Sequence, residues 1–167
     1  MIILGVDPGI AALGYGVLEA PDQTVKKTGK KPIYCLDYGL IQTKPDRPFP
    51  QRLKIISCEF KKILKKHRPD VVAIESVFFF KNLKTFIPVS RAEGVIILEA
   101  AKLNIPVVEF TPLQVKARMT GYGRAEKKDV QKRIVKILNL KEIPKPDDVA
   151  DALGVALCVV LVPVAKQ

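Results

Sequence analysis

Two short apolar runs of this sequence end directly at an acidic residue. Residues 2–6 are apolar or glycine and lead into Asp7, whereas residues 71–74 are Val-Val-Ala-Ile and lead into Glu75. The first run predicts a buried strand that a Pro-Gly turn stops, and the second predicts a short strand rich in β-branched residues. Open α/β sheets form their ligand crevice beside the carboxyl ends of strands, so Asp7 and Glu75 are candidate site residues.

The other elements predict a mixed α/β fold. Runs at residues 14–18 and 34–43 predict two further strands, so the chain begins as an antiparallel meander. Helical spacing follows over residues 51–67 and about 83–103, then a strand over 105–110 and helices over 112–120, 125–138 and beyond 147. This order is typical of a mixed sheet with helices on both faces. The length of 167 residues predicts a single domain spanning residues 1–167.

The last helix begins with three acids. Asp147 is expected to be its N-cap, while Asp148 and Asp151 stand at i and i+3 on one face of its first turn. If they converge with Asp7 and Glu75, the four carboxylates share one pocket and need hard cations, Mg²⁺ or Mn²⁺, to neutralise them. A pair of metal ions is the usual device for phosphodiester hydrolysis. The alternative is that Asp7 is a turn residue and that Asp147 or Asp148 is a simple helix cap.

Positive charge is concentrated in two segments of the chain. The formal net charge is +11; residues 52–68 carry seven Lys or Arg against one acid, and residues 111–145 carry ten against three. This distribution favours a surface that follows the phosphates of a nucleic acid. The alternative is a set of solvated helix faces, above all for four lysines of the first segment, Lys61, Lys62, Lys65 and Lys66.

Three aromatic residues follow the strand that ends at Glu75. Phe78, Phe79 and Phe80 are consecutive, so they cannot all face one core. We expect at least one ring to lie near the crevice, where it can stack on an unpaired base, and core packing for the others. The lone histidine, His67, falls at an expected helix end and is assigned no role.

Cysteine content and hydropathy limit the class of protein. Three scattered cysteines and the absence of a CxxC pair exclude a disulfide framework and a typical zinc site, which favours the cytoplasm. The most apolar stretch, residues 152–165, has 14 residues and contains Gly154 and Pro163. A membrane span needs about 18, so we expect a buried helix and no membrane association.

Taken in order, the motifs of this chain resemble the RuvC-type Holliday-junction resolvases. The matches extend from residue 2 to about 157, and their order and spacing are specific although no single motif is. The matching segments are Ile3-Leu4-Gly5-Val6-Asp7-Pro8-Gly9 with Gly14-Tyr15-Gly16-Val17; Gly39-Leu40-Ile41 with Thr43 and Arg52-Leu53; Ala73-Ile74-Glu75 with Val77-Phe78 and Lys81-Asn82; Gln114-Val115-Lys116; Gly121 and Gly123 with Ala125-Glu126-Lys127; and Asp148 with Asp151-Ala152-Leu153.

The resemblance implies an RNase H-like fold with a five-stranded sheet and a homodimer that makes paired cuts in four-way DNA junctions during recombination and repair. The mechanism expected for the clustered acids uses two Mg²⁺ ions per active site, for which Mn²⁺ can substitute, and leaves 5′-phosphate and 3′-hydroxyl ends. A branch-migration helicase complex is the implied protein partner, and the bacterial cytoplasm, at the nucleoid, the implied location. The implied catalytic residues are Asp7, Glu75, Asp148, Asp151 and Lys127, and the implied DNA contacts are Phe78, Phe79, Lys116 and Lys127. The further candidate DNA contacts are Lys81, Asn82, Arg118, Arg124 and Lys128.

The chain departs from the pattern of that family at two places. Leu13 stands where many members have a polar residue, and Ile10-Ala11 stands where they have a polar or basic pair, which puts a DNA contact in the first turn in doubt. The lysine-rich loop at residues 25–31 is also longer than usual. Neither change affects the four acids.

Three other classes of protein share part of the pattern. Sugar kinases and actin-like ATPases need two such domains and an adenosine pocket, which 167 residues do not supply. The small RuvC-like RNA-processing nucleases share the fold and the first acid, but Glu75-x-Val77-Phe78 and Gln114-Val115-Lys116 favour the resolvases. A junction-binding protein without activity is expected to lack one or more of the acids, and all four are present.

Overall fold

The computed structural model of the chain describes residues 1–21, 32–76 and 83–161. Within these residues a five-stranded sheet has the order β3-β2-β1-β4-β5. Neighbouring strands are antiparallel from β3 to β1 and parallel from β1 to β5. The mixed sheet predicted from the sequence is therefore confirmed. The strands are β1 (Ile2–Asp7), β2 (Ala12–Glu19), β3 (Tyr34–Gln42), β4 (Val71–Glu75) and β5 (Val107–Phe110).

Helices cover both faces of this sheet, as predicted. On one face α1 and α2 enclose a core with the β1 residues Leu4 and Val6, and on the other α3, α4 and α5 enclose a second core. Leu13, which stands where many members of the family have a polar residue, is fully buried and packs in the first core. The helices are α1 (Phe49–His67), α2 (Leu83–Ala101), α3 (Pro112–Thr120), α4 (Lys127–Leu138) and α5 (Asp147–Val160).

The last helix, α5, lies directly on the backbone of β1 and β2. A Cβ atom added at Gly14 would lie 2.0 Å from the main-chain oxygen of Asp148, and one at Gly5 would lie 2.1 Å from that of Ala152. Only glycine leaves room for a helix at this distance. The two glycines therefore fix the height of α5 above the sheet, and we call this contact the glycine seam.

Two short helices follow β5 and are joined by a tight turn. The start of α3 is closed by a capping box, in which the Thr111 hydroxyl accepts from the Gln114 N–H at 3.2 Å and the Gln114 side chain accepts from the Thr111 N–H at 2.8 Å. The end of α3 is closed by Gly121 in the left-handed region, with φ 83°. Among the described residues we find no helix with the length and apolarity that a membrane span requires.

Candidate active site

Asp7 and Glu75 are the last residues of two neighbouring parallel strands. Residues Val6 and Ile74, which precede them, are partners in the register of β1 and β4. Because parallel strands end at the same edge of a sheet, both carboxyl groups lie at that edge. The position predicted for this pair is therefore the one that the structure shows.

Helix α5 brings two more acids to the same edge. Asp7 is paired with Gly14 in the antiparallel ladder of β1 and β2, and the glycine seam places the main chain of Asp148 against Gly14. Asp148 and Asp151 both lie in the first five residues of α5. The N-terminal end of this helix dipole favours negative charge there.

Burial and mutual repulsion raise the pKa values of three of these acids. Burial, followed by the charges of Glu75, Asp151 and Asp148, raises the pKa of Asp7 from 3.8 to about 8. Burial, then the charge of Asp151, raises the pKa of Glu75 from 4.5 to about 7, while Lys127 and Lys116 act in the opposite direction. Burial also raises the pKa of Asp151. The three carboxyl groups therefore resist being charged together near neutral pH unless positive charge joins them.

Lys127 supplies part of that positive charge. Its Nζ atom lies 2.8 Å from Oδ2 of Asp151 and 3.1 Å from Oδ2 of Asp147. Asp147 also accepts from the side-chain amide of Gln131 at 3.2 Å, and its hydrogen bond with Lys127 lowers its pKa. The lysine at the start of α4 thus ties that helix to the first turn of α5.

The prediction that Asp147 is the N-cap of the last helix is wrong. The helix begins at Asp147 itself and Pro146 occupies the cap position, where the structure shows no side-chain cap. The carboxylate of Asp147 is bound to Lys127 and Gln131 instead. Asp147 is also a site residue that the sequence reasoning missed, because its partners lie 16 or more residues away and no spacing rule connects them.

The acids are gathered at one edge, but they do not form a closed ligand set. Within residues 1–21, 32–76 and 83–161, no three His, Cys, Asp or Glu side chains are arranged to hold a metal ion. Glu75 and Asp151 line one small cavity, of about 180 Å³, and neither Asp7 nor Asp148 lines it. The other residues around this cavity are Pro112, Val115, Lys116, Lys127 and Val130. The expectation that four acids share one pocket is thus met by two of them.

The chemistry of the donors nevertheless fits a hard divalent cation. All four candidate ligands are carboxylates, which Mg²⁺ and Mn²⁺ prefer and which do not suit zinc. Burial and neighbouring carboxylates raise the pKa values of Asp7 and Glu75, so a bound cation would favour the charged forms of both groups. In the structure, the Lys127 ammonium binds Asp151, and a cation would compete with it for this carboxylate.

The residues predicted to contact DNA have three different outcomes. Arg124 and Lys128 are exposed, and Lys116 is half-buried beside the small cavity. Arg118 points inward, where its guanidinium donates to the carbonyl of Cys158 at 2.9 Å and lies 4.6 Å from the centre of the Phe110 ring. Arg118 thus helps to hold α3 against α5, and its DNA contact stays a prediction. Four predicted contacts, Phe78, Phe79, Lys81 and Asn82, lie outside the described residues.

A clamp on the turn that follows Asp7 was also missed. The hydroxyl of Thr43 donates to the carbonyl of Ile10 at 2.5 Å and accepts from Nε of Arg52 at 2.7 Å. Thr43 is nearly fully buried, so these bonds are protected from water. The clamp joins α1 and the end of β3 to the turn beside Asp7. Thr43 and Arg52 were among the matching motifs, but the sequence alone gave them no role.

Several charges on α1 are paired within the protein. His67 and Lys66 both bind Oδ2 of Asp37, at 2.9 Å and 2.6 Å, and Lys62 binds Glu59 at 2.7 Å. These pairs favour the alternative of a solvated helix face for this part of the first basic segment. His67, to which no role was assigned, is a structural partner of β3.

Comparisons with known proteins point to one family. A family model described as crossover junction endodeoxyribonuclease RuvC matches residues 3–159. A protein of that name from Thermosipho melanesiensis is 49% identical over 158 residues, which cover 95% of this chain and 96% of the relative. Another, from Ruminiclostridium cellulolyticum, is 51% identical over 158 residues, which cover 95% and 90%.

Solved structures agree with this likeness. The structure of Thermus thermophilus RuvC is 33% identical, with a TM-score of 0.87, and the match covers 96% of this chain and 94% of that one. The T. thermophilus protein in complex with a Holliday junction substrate is 32% identical with the same TM-score, and the match covers 96% and 93%. The RNase H-like fold expected from the sequence is therefore confirmed.

Proposed function

The chain belongs to the RuvC family of crossover junction endodeoxyribonucleases, and from that premise we propose that it is a Holliday-junction resolvase. It cuts four-way DNA junctions at paired positions, in recombination and repair, by hydrolysis of phosphodiester bonds. The relative from T. thermophilus has been seen with a Holliday junction substrate, which supports the same substrate for this chain. The proposed location is the bacterial cytoplasm, at the nucleoid, where chromosomal junctions form.

One observation carries the proposal: acids on three separate elements converge at one edge of the sheet. The pKa of Asp7, at the end of β1, responds to the charges of Glu75 on β4 and of Asp148 and Asp151 on α5. Such a concentration of negative charge destabilises the fold unless positive charge neutralises it, since a half-buried carboxylate without a partner is costly. A nuclease site that recruits cations explains this arrangement.

Mg²⁺ is the proposed cofactor, with two ions per active site, and Mn²⁺ is the expected substitute. Asp7, Glu75, Asp148 and Asp151 are the residues that would hold them. Divalent cations at such a site activate water and stabilise the leaving oxygen. The expected products carry 5′-phosphate and 3′-hydroxyl ends.

Two lysines beside the acids are suited to binding the scissile phosphate. Lys116 lines the cavity that Glu75 and Asp151 share, and Lys127 reaches it from α4. Both lysines lower the pKa of Glu75, so they help to keep that carboxylate charged at neutral pH. A cation bound to Asp151 would free the ammonium of Lys127 to bind a phosphate oxygen. Arg124 and Lys128, both exposed, extend this positive surface along the DNA.

Cleavage of junctions tests this function. A labelled four-way junction and a linear duplex of the same sequence are incubated with the protein in Mg²⁺ or in EDTA. Paired nicks on the junction in Mg²⁺, with none in EDTA and none on the duplex, are the expected result. Asp7→Asn is expected to abolish the nicks and to keep junction binding, because it removes one negative charge that faces phosphate. Binding without any nicks by the unmodified protein would instead indicate a junction-recognition protein.

A homodimer is the proposed assembly, because paired cuts require two active sites. One exposed face of α2 supports it: Ile87 and Leu98 are 51% and 53% exposed, and a Cβ at Gly94, between them on the same face, would meet no atom within 4 Å. Large apolar side chains beside a glycine are suited to close contact between two copies of a helix. A branch-migration helicase complex is the proposed further partner, on the family resemblance alone.

Light scattering tests the dimer. Leu98→Glu is expected to convert a dimer into a monomer and to turn paired cuts into single nicks, since a buried charge without a partner opposes association. Leu36→Glu is the matched control, because Leu36 on β3 is also about half exposed, at 48%. A dimer that persists in Leu98→Glu would place the interface elsewhere.

A further inference from the structure

We propose that Tyr122, in the turn between α3 and α4, stacks on a base of the bound DNA close to the cut. This role rests on the function proposed above and adds a contact that the family resemblance does not assign. Tyr122 is 61% exposed, and the nearby Leu113 is 60% exposed; they are the two most exposed large apolar residues of the described chain. Two such side chains on a strongly basic surface indicate a contact with nucleic acid.

The turn holds the main chain of Tyr122 firmly while its side chain projects. The Tyr122 N–H donates to the hydroxyl of Thr120 at 3.2 Å, and the Tyr122 carbonyl accepts from the Ala125 N–H at 3.1 Å. The same hydroxyl lies within hydrogen-bonding distance of two carbonyls, those of Tyr122 at 3.1 Å and Lys116 at 2.9 Å. Gly121, with its positive φ, turns the chain at the helix end. A ring displayed on so ordered a backbone loses little conformational freedom when it binds.

The course of the chain places this ring near the candidate active site. A Cβ at Gly123 would lie 3.4 Å from the main-chain oxygen of Leu113, so the turn packs back along α3 before α4 begins at Lys127. Five residues span at most about 17 Å when fully extended. A duplex rises about 3.4 Å per base pair along each strand. The Cα atoms of Tyr122 and Lys127 are therefore at most about 17 Å apart, which is the rise of about five base pairs.

The charges around the turn favour DNA over a protein as the partner. Residues 111–145 carry ten Lys or Arg against three acids. Arg124 and Lys128, which flank the turn, are exposed, and neither forms an ion pair with another residue of the described ranges. Basic side chains follow the backbone of a nucleic acid while an aromatic ring stacks on a base, and stacking tolerates every base sequence. A base beside the crossover of a four-way junction is the easiest to reach.

Binding measurements with matched variants test the proposal. They are made in the Asp7→Asn background, so that the DNA stays uncut, with intact junctions and with junctions that lack one base at each of the five positions nearest the cut. Tyr122→Ala is expected to weaken binding of the intact junction about fivefold or more, the range for loss of one stacked base. Tyr122→Phe is expected to bind like the parent, because the ring remains. Tyr34→Ala is the control, since Tyr34 on the far strand β3 is also exposed, at 57%.

The decisive measurement is the affinity of Tyr122→Ala for each junction that lacks one base. If Tyr122 stacks on one base, Tyr122→Ala has no further effect on the junction that lacks that base, whereas the losses multiply at the other positions. Losses that multiply at all five positions, equal losses on junction and duplex, or no loss at all would each overturn the proposal. A parent protein that does not prefer the junction to the duplex would instead overturn the proposed function.

Discussion

Replacing Asp7 with asparagine should stabilise the metal-free protein, by an amount that grows with pH. Burial and the neighbouring acids raise the pKa of Asp7 from 3.8 to about 8 in the folded protein. In the unfolded chain the same carboxyl group ionises near its ordinary value. Between these two values the folded state holds a proton that the unfolded state has released. The free energy of unfolding therefore falls as pH rises from about 4 to about 8, and it levels off above that.

The size of the effect follows from the shift. Four pKa units correspond to about 5–6 kcal/mol, at about 1.36 kcal/mol per unit. Asp7 is only partly buried and its side chain can turn toward water, so solvent screening leaves about 2 kcal/mol of this. For a domain of this size, a change of about 1 kcal/mol moves Tm by about 2–4 °C. The expected gain in Tm for Asp7→Asn is therefore about 4–8 °C at pH 9.

Thermal unfolding followed by circular dichroism measures this gain. The two proteins are compared in EDTA from pH 4 to pH 9, and the gap in Tm should widen up to about pH 8 and then stay constant. Adding Mg²⁺ at pH 9 should narrow the gap, because a cation bound to the folded state raises the Tm of the parent. Asp46→Asn, at an exposed position, should leave Tm unchanged. A variant that is less stable than the parent at pH 9, or a gap independent of pH, would refute the reasoning.

Three further changes test other parts of the site. Gly14→Ala forces a Cβ against the main-chain oxygen of Asp148. It should lower the free energy of unfolding in urea by about 1–3 kcal/mol and weaken Mg²⁺ binding measured by calorimetry. Unchanged Mg²⁺ binding would mean that the glycine seam does not position the acids. Arg118→Met removes the hydrogen bond to the Cys158 carbonyl on α5 and the contact with the Phe110 ring. It should lower the free energy of unfolding by about 1–2 kcal/mol. Weaker junction binding at unchanged stability would instead favour a DNA contact for Arg118. Lys127→Ala removes a charge that lowers the pKa of Glu75, so it should slow cutting and move the acid limb of the pH–rate profile to higher pH. Lys127→Arg should restore part of the rate. An acid limb that stays at the same pH in Lys127→Ala would contradict this role.

The parts of the fold that local patterns determine could be predicted from the sequence. The apolar runs before Asp7 and Glu75 gave two strands, and the turn chemistry after Asp7 gave the end of the first. Their convergence with the acids of α5 depends on the glycine seam, which joins residues far apart in the chain. No period or spacing in one sequence reveals a contact of that kind.

The wrong N-cap prediction and the internal contact of Arg118, which was not expected, have the same origin. Asp147 is a favourable cap residue by type, but a lysine 20 residues earlier binds its carboxylate. Arg118 looks like a surface cation on a basic helix, yet the carbonyl that it binds is 40 residues away. In both cases a long-range partner decides the orientation of the side chain, and local propensity carries no information about that partner.

The glycine seam has a consequence for how such an enzyme can change over time. The separation between β2 and the first turn of α5 is set where main chain touches main chain, at Gly14 and Asp148, and not by the size of the surrounding apolar side chains. Exchanges among those side chains alter stability and leave the spacing of the acids in place. Core side chains can therefore change as a lineage adapts to a hotter or colder habitat, and the positions of the acids stay the same as long as the two glycines are kept.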